Sequence, residues 1–240
     1  MIWFRSFCFN ILALIWNVGV MLLLLPSVLL GARWVLPISR LWSRGLLVLL
    51  RVVCGLSYEV RGREYMPGGP CVVASKHESA FETLVFPVVI HDAIFVLKRE
   101  LLRVPLFGWY LAAAGNVAVD RSGGAKALRH MVAEARARLA EGRTIVIFPE
   151  GTRVTPGEGG RYHPGVAALY QALEVPIVPV AVNSGSYWYR RAFAKRPGRI
   201  VVQFLPPIPP GLDRRAFLNR LRDRIETASV TLTQEAAGKQ

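Results

Sequence analysis

Between Arg5 and Arg33 the chain carries no charged residue, and the run SFCFNILALIWNVGVMLLLLPSVLLGA is apolar almost throughout. A helix of that length can enter or cross a hydrocarbon core of about 30 Å at about 1.5 Å per residue. Pro26 and Pro37 interrupt the apolar region. Proline removes a helical hydrogen bond, so the pattern predicts two shorter helices, about residues 3–25 and 38–54, rather than one continuous span. The second intersperses Arg40, Arg44 and Arg51 among Leu, Val and Trp. That is the pattern of an interfacial helix whose arginines reach toward headgroups. Basic residues flank the first helix on both sides, which favours a hairpin or re-entrant arrangement from the cytoplasmic face. A cleaved signal peptide is the competing reading. The run exceeds the usual h-region of about 7–15 residues, and RWVLPISRLWSRGLLVLLRVV after it is again apolar. The segment therefore reads as retained.

From about Ser57 short apolar runs alternate with helical stretches. YEVRGRE alternates like a strand and precedes the turn MPGGP. CVVAS is a continuous apolar run, HESAFETLVFPVV has helical character, and AIFVLK and GNVAVDR read as strands. AKALRHMVAEARARLAEG is an amphipathic helix ended by Gly142. TIVIFPEG is a buried strand, GVAALYQALE a helix, and VPIVPVAVN and RIVVQFLPPI further strands. Residues 213–236 resemble a final helix with Leu218, Leu221, Ile225 and Leu232 inward. Strands alternating with helices predict an α/β fold with a mixed, largely parallel sheet flanked by helices. The division is a membrane-embedded or interfacial segment over 1–55 and an α/β catalytic domain over 56–240.

Composition sharpens this picture in two ways. Lys and Arg outnumber Asp and Glu by 30 to 16, a net charge of +14, which points to a polyanionic partner. The apolar N-terminus makes that partner an anionic bilayer or phosphorylated substrate rather than nucleic acid. Cys8, Cys54 and Cys71 form no CxxC and no Cys/His ligand spacing. No disulfide framework and no metal site is therefore expected, and a reducing compartment fits.

In α/β sheets functional groups collect past the carboxyl ends of strands. Three polar clusters follow apolar strands here: KHESAFE, DRS and PEGTR. His77 is the only histidine so placed with carboxylates close by. A carboxylate on one ring nitrogen fixes the tautomer of a histidine base. On a regular helix neither Glu78 nor Glu82 faces His77. Glu82 does so only if the chain turns between them, and Ser79 and Glu82 also read as a capping box. FPEGTR offers exposed N–H groups and Arg153 to an oxyanion, against a local Glu150–Arg153 pair. VDR offers Arg121, against an Asp120–Arg121 pair. No GxSxG, GxGxxG or GxxxxGK[ST] is present, which favours direct transfer over a covalent acyl-enzyme.

Together KHESAFE, GNVAVDR, FPEGTR and VPIVPVAV resemble the four ordered blocks of the 1-acylglycerol-3-phosphate acyltransferase family, over about residues 57–210. The resemblance implies a glycerol-3-phosphate-acyltransferase-like fold behind a membrane-associated helical hairpin. It implies acyl transfer from acyl-CoA or acyl-carrier protein, as co-substrate and without a cofactor or metal, to the sn-2 hydroxyl of lysophosphatidic acid. The product is phosphatidic acid for phospholipid biosynthesis, formed at the cytoplasmic face of the inner membrane. It assigns His77 as base, Glu82 as its partner, and Arg121, Glu150, Gly151, Thr152 and Arg153 to the substrate phosphate. The family's His-x4-Asp is His77-x4-Glu82 here. Where the family carries Lys-Gly, this chain has His163-Pro164-Gly165, with Arg161 as candidate substitute. Another lysolipid acceptor, and a non-catalytic anionic-membrane binder, are the alternatives.

Overall fold

The computed structural model describes residues 1–238. The apolar N-terminus forms α1 (Ile2–Leu23), the short α2 (Ser27–Leu30) and α3 (Ala32–Leu49). The long helices run antiparallel: Arg5 Nε donates to Val53 O at 2.6 Å, and Trp42 Nε1 to Asn17 Oδ1 at 2.7 Å. Pro26 follows α1 as expected, but Pro37 does not open the second helix. Gly31, at φ 78°, turns the chain, and α3 already runs from Ala32 with Pro37 inside it. Only the bond to the Arg33 carbonyl is forfeited there, and packing tolerates that loss. Arg44 and Arg51 are exposed as the pattern suggested. Arg40 instead turns inward, donating to Pro87 O at 3.3 Å and lying 3.7 Å from Asp92.

The remaining chain forms β1 (Leu56–Arg61), β2 (Val72–Ser75), α4 (Phe81–Val89) and β3 (Ala93–Lys98). Next come α5 (Phe107–Ala113), which the sequence pattern did not reveal, β4 (Val117–Val119) and α6 (Gly124–Ala140). Then follow β5 (Thr144–Ile147), α7 (Pro164–Leu173), β6 (Ile177–Val182), β7 (Gly198–Phe204) and α8 (Arg214–Ala237). The strands make one seven-stranded sheet in the order β1-β7-β6-β2-β5-β3-β4. Every neighbouring pair is parallel except β6 with β7. The sheet is thus mixed and largely parallel, and β2 to β6 all end at one edge.

Alternate residues of the central strands face two cores, as strand geometry requires. Val73 and Val146 join α1, α3 and α4 through Phe9, Leu46, Leu50, Phe81 and Phe86. Val72, Ala74, Ile145 and Ile147 join α6, α7 and α8 through Met131, Leu169, Phe217, Leu221 and Ile225. On α8, Leu221, Ile225 and Leu232 are buried as expected, whereas Leu218 is half-buried and Phe217 takes the inner place. The first 55 residues therefore share a core with the sheet. Their outer face leaves Trp3, Phe4, Phe7, Leu14, Ile15, Leu23, Trp34, Leu41 and Val48 exposed. Among the described residues α1 is the one helix long and apolar enough to cross a membrane.

A polar clasp fixes α1 to the loop between β6 and β7. Lys195 is buried, and its ammonium donates to Asn10 Oδ1 at 2.7 Å and Phe193 O at 2.9 Å. It also lies 5.1 and 5.2 Å from the ring centroids of Phe9 and Trp188. Such contacts between a desolvated cation and aromatic faces are favourable. Lys195→Ala is expected to lower unfolding stability by about 2–4 kcal/mol, combining a cavity with lost charge-assisted bonds. Lys126→Ala, on the exposed face of α6, should change it by less than about 0.5 kcal/mol. Calorimetric melting of both variants checks the contrast.

Candidate active site

The central strand β2 ends at Ser75, and the chain runs irregularly through residues 76–80 before α4 begins. His77 lies in that irregular stretch, which is what lets Glu82 turn back onto it. His77 Nδ1 and Glu82 Oε2 are 3.0 Å apart. The capping box forms as well: Ser79 Oγ accepts from Phe81 N, and Glu82 Oε2 accepts from Ser79 N, each at 3.0 Å. One carboxylate therefore caps the helix and holds the histidine. Ser184, just past β6, donates its hydroxyl to Glu82 Oε1. Both oxygens of Glu82 are engaged, and its side chain is fully buried. The imidazole stacks on Phe148, with ring centroids 4.0 Å apart and planes 16° apart. Nδ1 faces Glu82, so Nε2 is the ring nitrogen left without a protein partner among the described residues.

Beneath His77 lies a buried ion cluster. The Lys76 ammonium contacts Glu150 Oε1 at 2.9 Å and Glu226 Oε2 at 2.6 Å, and donates to Glu158 O at 3.1 Å. Burial pulls this ammonium down, but the two carboxylates outweigh burial and hold it above its usual value. Burial pushes the Glu150 carboxyl up to about 7, with Lys76 opposing. The other oxygen of Glu150 accepts from His77 N at 2.9 Å, and His77 O accepts from Val154 N at 2.8 Å. The turn after β5 thus grips the histidine backbone from both sides. Glu150 pairs with Lys76 rather than Arg153, and its side chain is not on the cavity wall. The bonds it makes here are to the His77 backbone and the Lys76 ammonium.

Gly151 adopts φ 64°, a conformation that favours glycine. A Cβ at this position would lie 3.0 Å from the His163 ring and 3.2 Å from Arg121. Arg121 donates to Gly151 O, while Asp120 binds Ser122 and lies 3.6 Å from Arg99. The Asp120–Arg121 pair is therefore not formed. His77, Arg121, Gly151, Thr152 and Arg153 share the wall of a cavity of about 480 Å³. Its apolar part comes from Val20 and Met21 of α1, Leu36 and Trp42 of α3, Phe95, and Phe107 and Leu111 of α5. Arg190 and Arg191 line it too, whereas Arg161 does not.

Sequence reasoning missed Lys76, Ser184, Glu226, Arg190 and Arg191, and weighed Glu78 only as a partner for His77. Lys76 and Glu78 sit within the stretch that drew attention to His77, and their burial was the hidden variable. Glu78 Oε2 accepts from Gly185 N at 2.9 Å, and Oε1 has no hydrogen-bond partner. No group of His, Cys, Asp and Glu side chains among the described residues is arranged to hold a metal ion.

A family model described as Acyltransferase matches residues 57–183. The 1-acyl-sn-glycerol-3-phosphate acyltransferase of Pseudomonas aeruginosa is 43% identical over 165 residues, 69% of this chain and 64% of the relative. The matched part thus spans slightly less than two thirds of that relative's length. The 1-acyl-sn-glycerol-3-phosphate acyltransferase alpha of Ovis aries is 31% identical over 202 residues, covering 80% of this chain and 68% of the relative. The crystal structure of the 1-acyl-sn-glycerophosphate (LPA) acyltransferase PlsC of Thermotoga maritima shares the fold. Its TM-score is 0.75 at 18% identity, over 95% of each chain.

Burial pushes the Glu78 carboxyl up from 4.5 to about 8, with Glu82 adding to the effect. The folded state therefore holds this proton more tightly than the unfolded chain. Its contribution to stability is full below 4.5 and is lost as pH rises through about 8. Glu78→Gln keeps a neutral acceptor for Gly185 and removes the titration. Its melting temperature relative to the unaltered protein should rise between about pH 5 and about pH 9. A difference that stays constant over that range contradicts a protonated Glu78.

Proposed function

The chain belongs to the 1-acyl-sn-glycerol-3-phosphate acyltransferase family, and on that premise we propose that it acylates the sn-2 hydroxyl of lysophosphatidic acid to give phosphatidic acid. The observation that carries this reading is the His77–Glu82 pair, on the wall of a cavity lined by apolar side chains and arginines. Nε2 of His77 takes the hydroxyl proton as that oxygen attacks the thioester carbonyl of acyl-CoA or acyl-carrier protein. Collapse of the tetrahedral intermediate breaks the C–S bond, and the imidazolium returns the proton to the leaving thiolate. Glu82 stabilises the imidazolium between these steps. Proton transfer of this kind contributes about 10²–10⁴-fold, and holding both substrates in one cavity adds to it.

Arg121, Thr152 and Arg153 receive the phosphate of the acceptor, through charge-assisted and bidentate bonds, and Gly151, whose N–H is bonded to Phe148 O, shapes the turn that presents them. The apolar walls receive acyl chain. Residues 1–55 seat the enzyme on the cytoplasmic face of the inner membrane, and 56–240 carry the chemistry. The exposed apolar face of α1 and α3 supports that arrangement.

Purified protein is expected to acylate lysophosphatidic acid, with a large loss on lysolipids lacking the phosphomonoester. His77→Ala should reduce turnover by about 10²-fold or more while vesicle binding survives. Glu82→Gln should lose most activity and Glu78→Gln little. Robust turnover by His77→Ala contradicts the mechanism, and equal rates on phosphate-free lysolipids contradict the acceptor.

A further inference from the structure

The loop between β6 and β7 brings to the cavity two arginines that lie outside all four sequence blocks. Arg190 and Arg191 stand on the wall that also holds His77, Thr152 and Arg153. Neither guanidinium has a carboxylate or hydrogen-bond partner among the described residues. Several other arginines of this chain find one: Arg40 reaches Asp92, Arg61 reaches Glu59 and Glu235, and Arg143 reaches Glu141. Adjacent unpaired cations repel each other, and a bound anion relieves that repulsion.

The loop carrying them is held at several points. Its first residues are fastened to the two carboxylates beside His77: Ser184 to Glu82, and Gly185 to Glu78. Tyr189 OH lies 3.3 Å from Thr155 Oγ1, which brings the loop against the turn that carries Arg153. Within the loop Ala192 N donates to Tyr189 O, and Arg196 N to Tyr187 O, each at 2.9 Å. The Lys195 clasp fixes its far end to α1. Arg191 adopts φ 60°, which is unfavourable for a residue with a Cβ and is retained where surrounding structure imposes it. Strain at a residue on a cavity wall is a pointer to binding.

We propose that Arg190 and Arg191 form a second half of the phosphate site, binding the phosphomonoester of the acceptor together with Arg121 and Arg153. This rests on the lysolipid reading given above. A phosphomonoester carries about −1.5 to −2 charges near neutral pH and three acceptor oxygens. Arg121 already commits one N–H to Gly151 O, and the loop adds two further guanidinium groups to the same wall. Arg161, the substitute that the sequence offered, is absent from the wall. The loop arginines occupy the vacant role. Because Ser184 of the same loop holds Glu82, phosphate binding is registered against the base through seven residues of ordered chain.

Steady-state kinetics on full-length Arg190→Gln, Arg191→Gln and the double variant test this, with Arg220→Gln on exposed α8 as the charge control. The acceptor KM is expected to rise about tenfold or more in the double variant, the effect of losing charge-assisted bonds. The turnover number should stay within about threefold, and the KM for acyl-CoA should not move. An unchanged acceptor KM overturns the proposal. A rise confined to the acyl-CoA KM overturns it by giving the arginines to the donor's phosphates. Loss of binding to phosphatidylglycerol vesicles with an unchanged acceptor KM overturns it in favour of the bilayer surface. Melting curves guard against misfolding. If the unaltered protein does not acylate lysophosphatidic acid, the parent reading fails separately. Titration with sn-glycerol 3-phosphate against glycerol then still reads the site: phosphate-dependent binding lost in the double variant supports it, and binding retained overturns it.

Discussion

The ammonium of Lys76 is 1% exposed and sits between the carboxylates of Glu150 and Glu226. Removing one partner of a buried pair leaves a stranded charge and costs about 3–5 kcal/mol, so these three side chains stand or fall together. They come from the end of β2, the turn after β5 and the middle of α8, distant in sequence and joined here behind His77. Tyr162 adds a 3.2 Å bond to the second oxygen of Glu226, and burial beside that carboxylate pushes its phenol up, leaving it a donor. None of the three side chains lines the cavity. The cluster fixes Glu150, which fixes the His77 backbone, and it anchors the glycine turn whose residues line the cavity.

On the other side of His77 a second set of bonds acts on the side chain. Glu82 is held by Ser79 N and by the Ser184 hydroxyl while it faces Nδ1. A glutamate in place of the family's aspartate has one more torsion to restrain, and those two donors restrain it. The helix cap and the histidine partner are then one structure, and the extra methylene is absorbed by the irregular stretch between β2 and α4. The imidazole has little freedom left, since its opposite face lies on Phe148.

Much of this was readable from the chain because strand-end clusters announce themselves: apolar runs followed by charge gave β2, β4 and β5 and the residues after them. The condition that the chain must turn between His77 and Glu82 was also visible, since helical geometry excludes the pair otherwise. What escaped was set by burial and long-range pairing. Nothing near Glu226 distinguishes it from other charges on α8, and Ser184 is an ordinary serine until β6 is laid beside β2. Pro37 misled, because its cost inside α3 is one bond and packing against α4 outweighs it. Arg190 and Arg191 looked like further contributors to net charge until the loop placed them on the cavity.

The central claim is that Glu82 fixes His77 in the tautomer that leaves Nε2 free for the acceptor hydroxyl. Nitrogen-15 NMR of protein labelled at histidine, with the His77 signals identified by their loss in a His77 variant, reads this directly. The account predicts a proton on Nδ1 and an unprotonated Nε2 in the neutral imidazole, with that preference weakened in Glu82→Gln. A neutral ring protonated at Nε2 would contradict it, because no lone pair would then face the substrate.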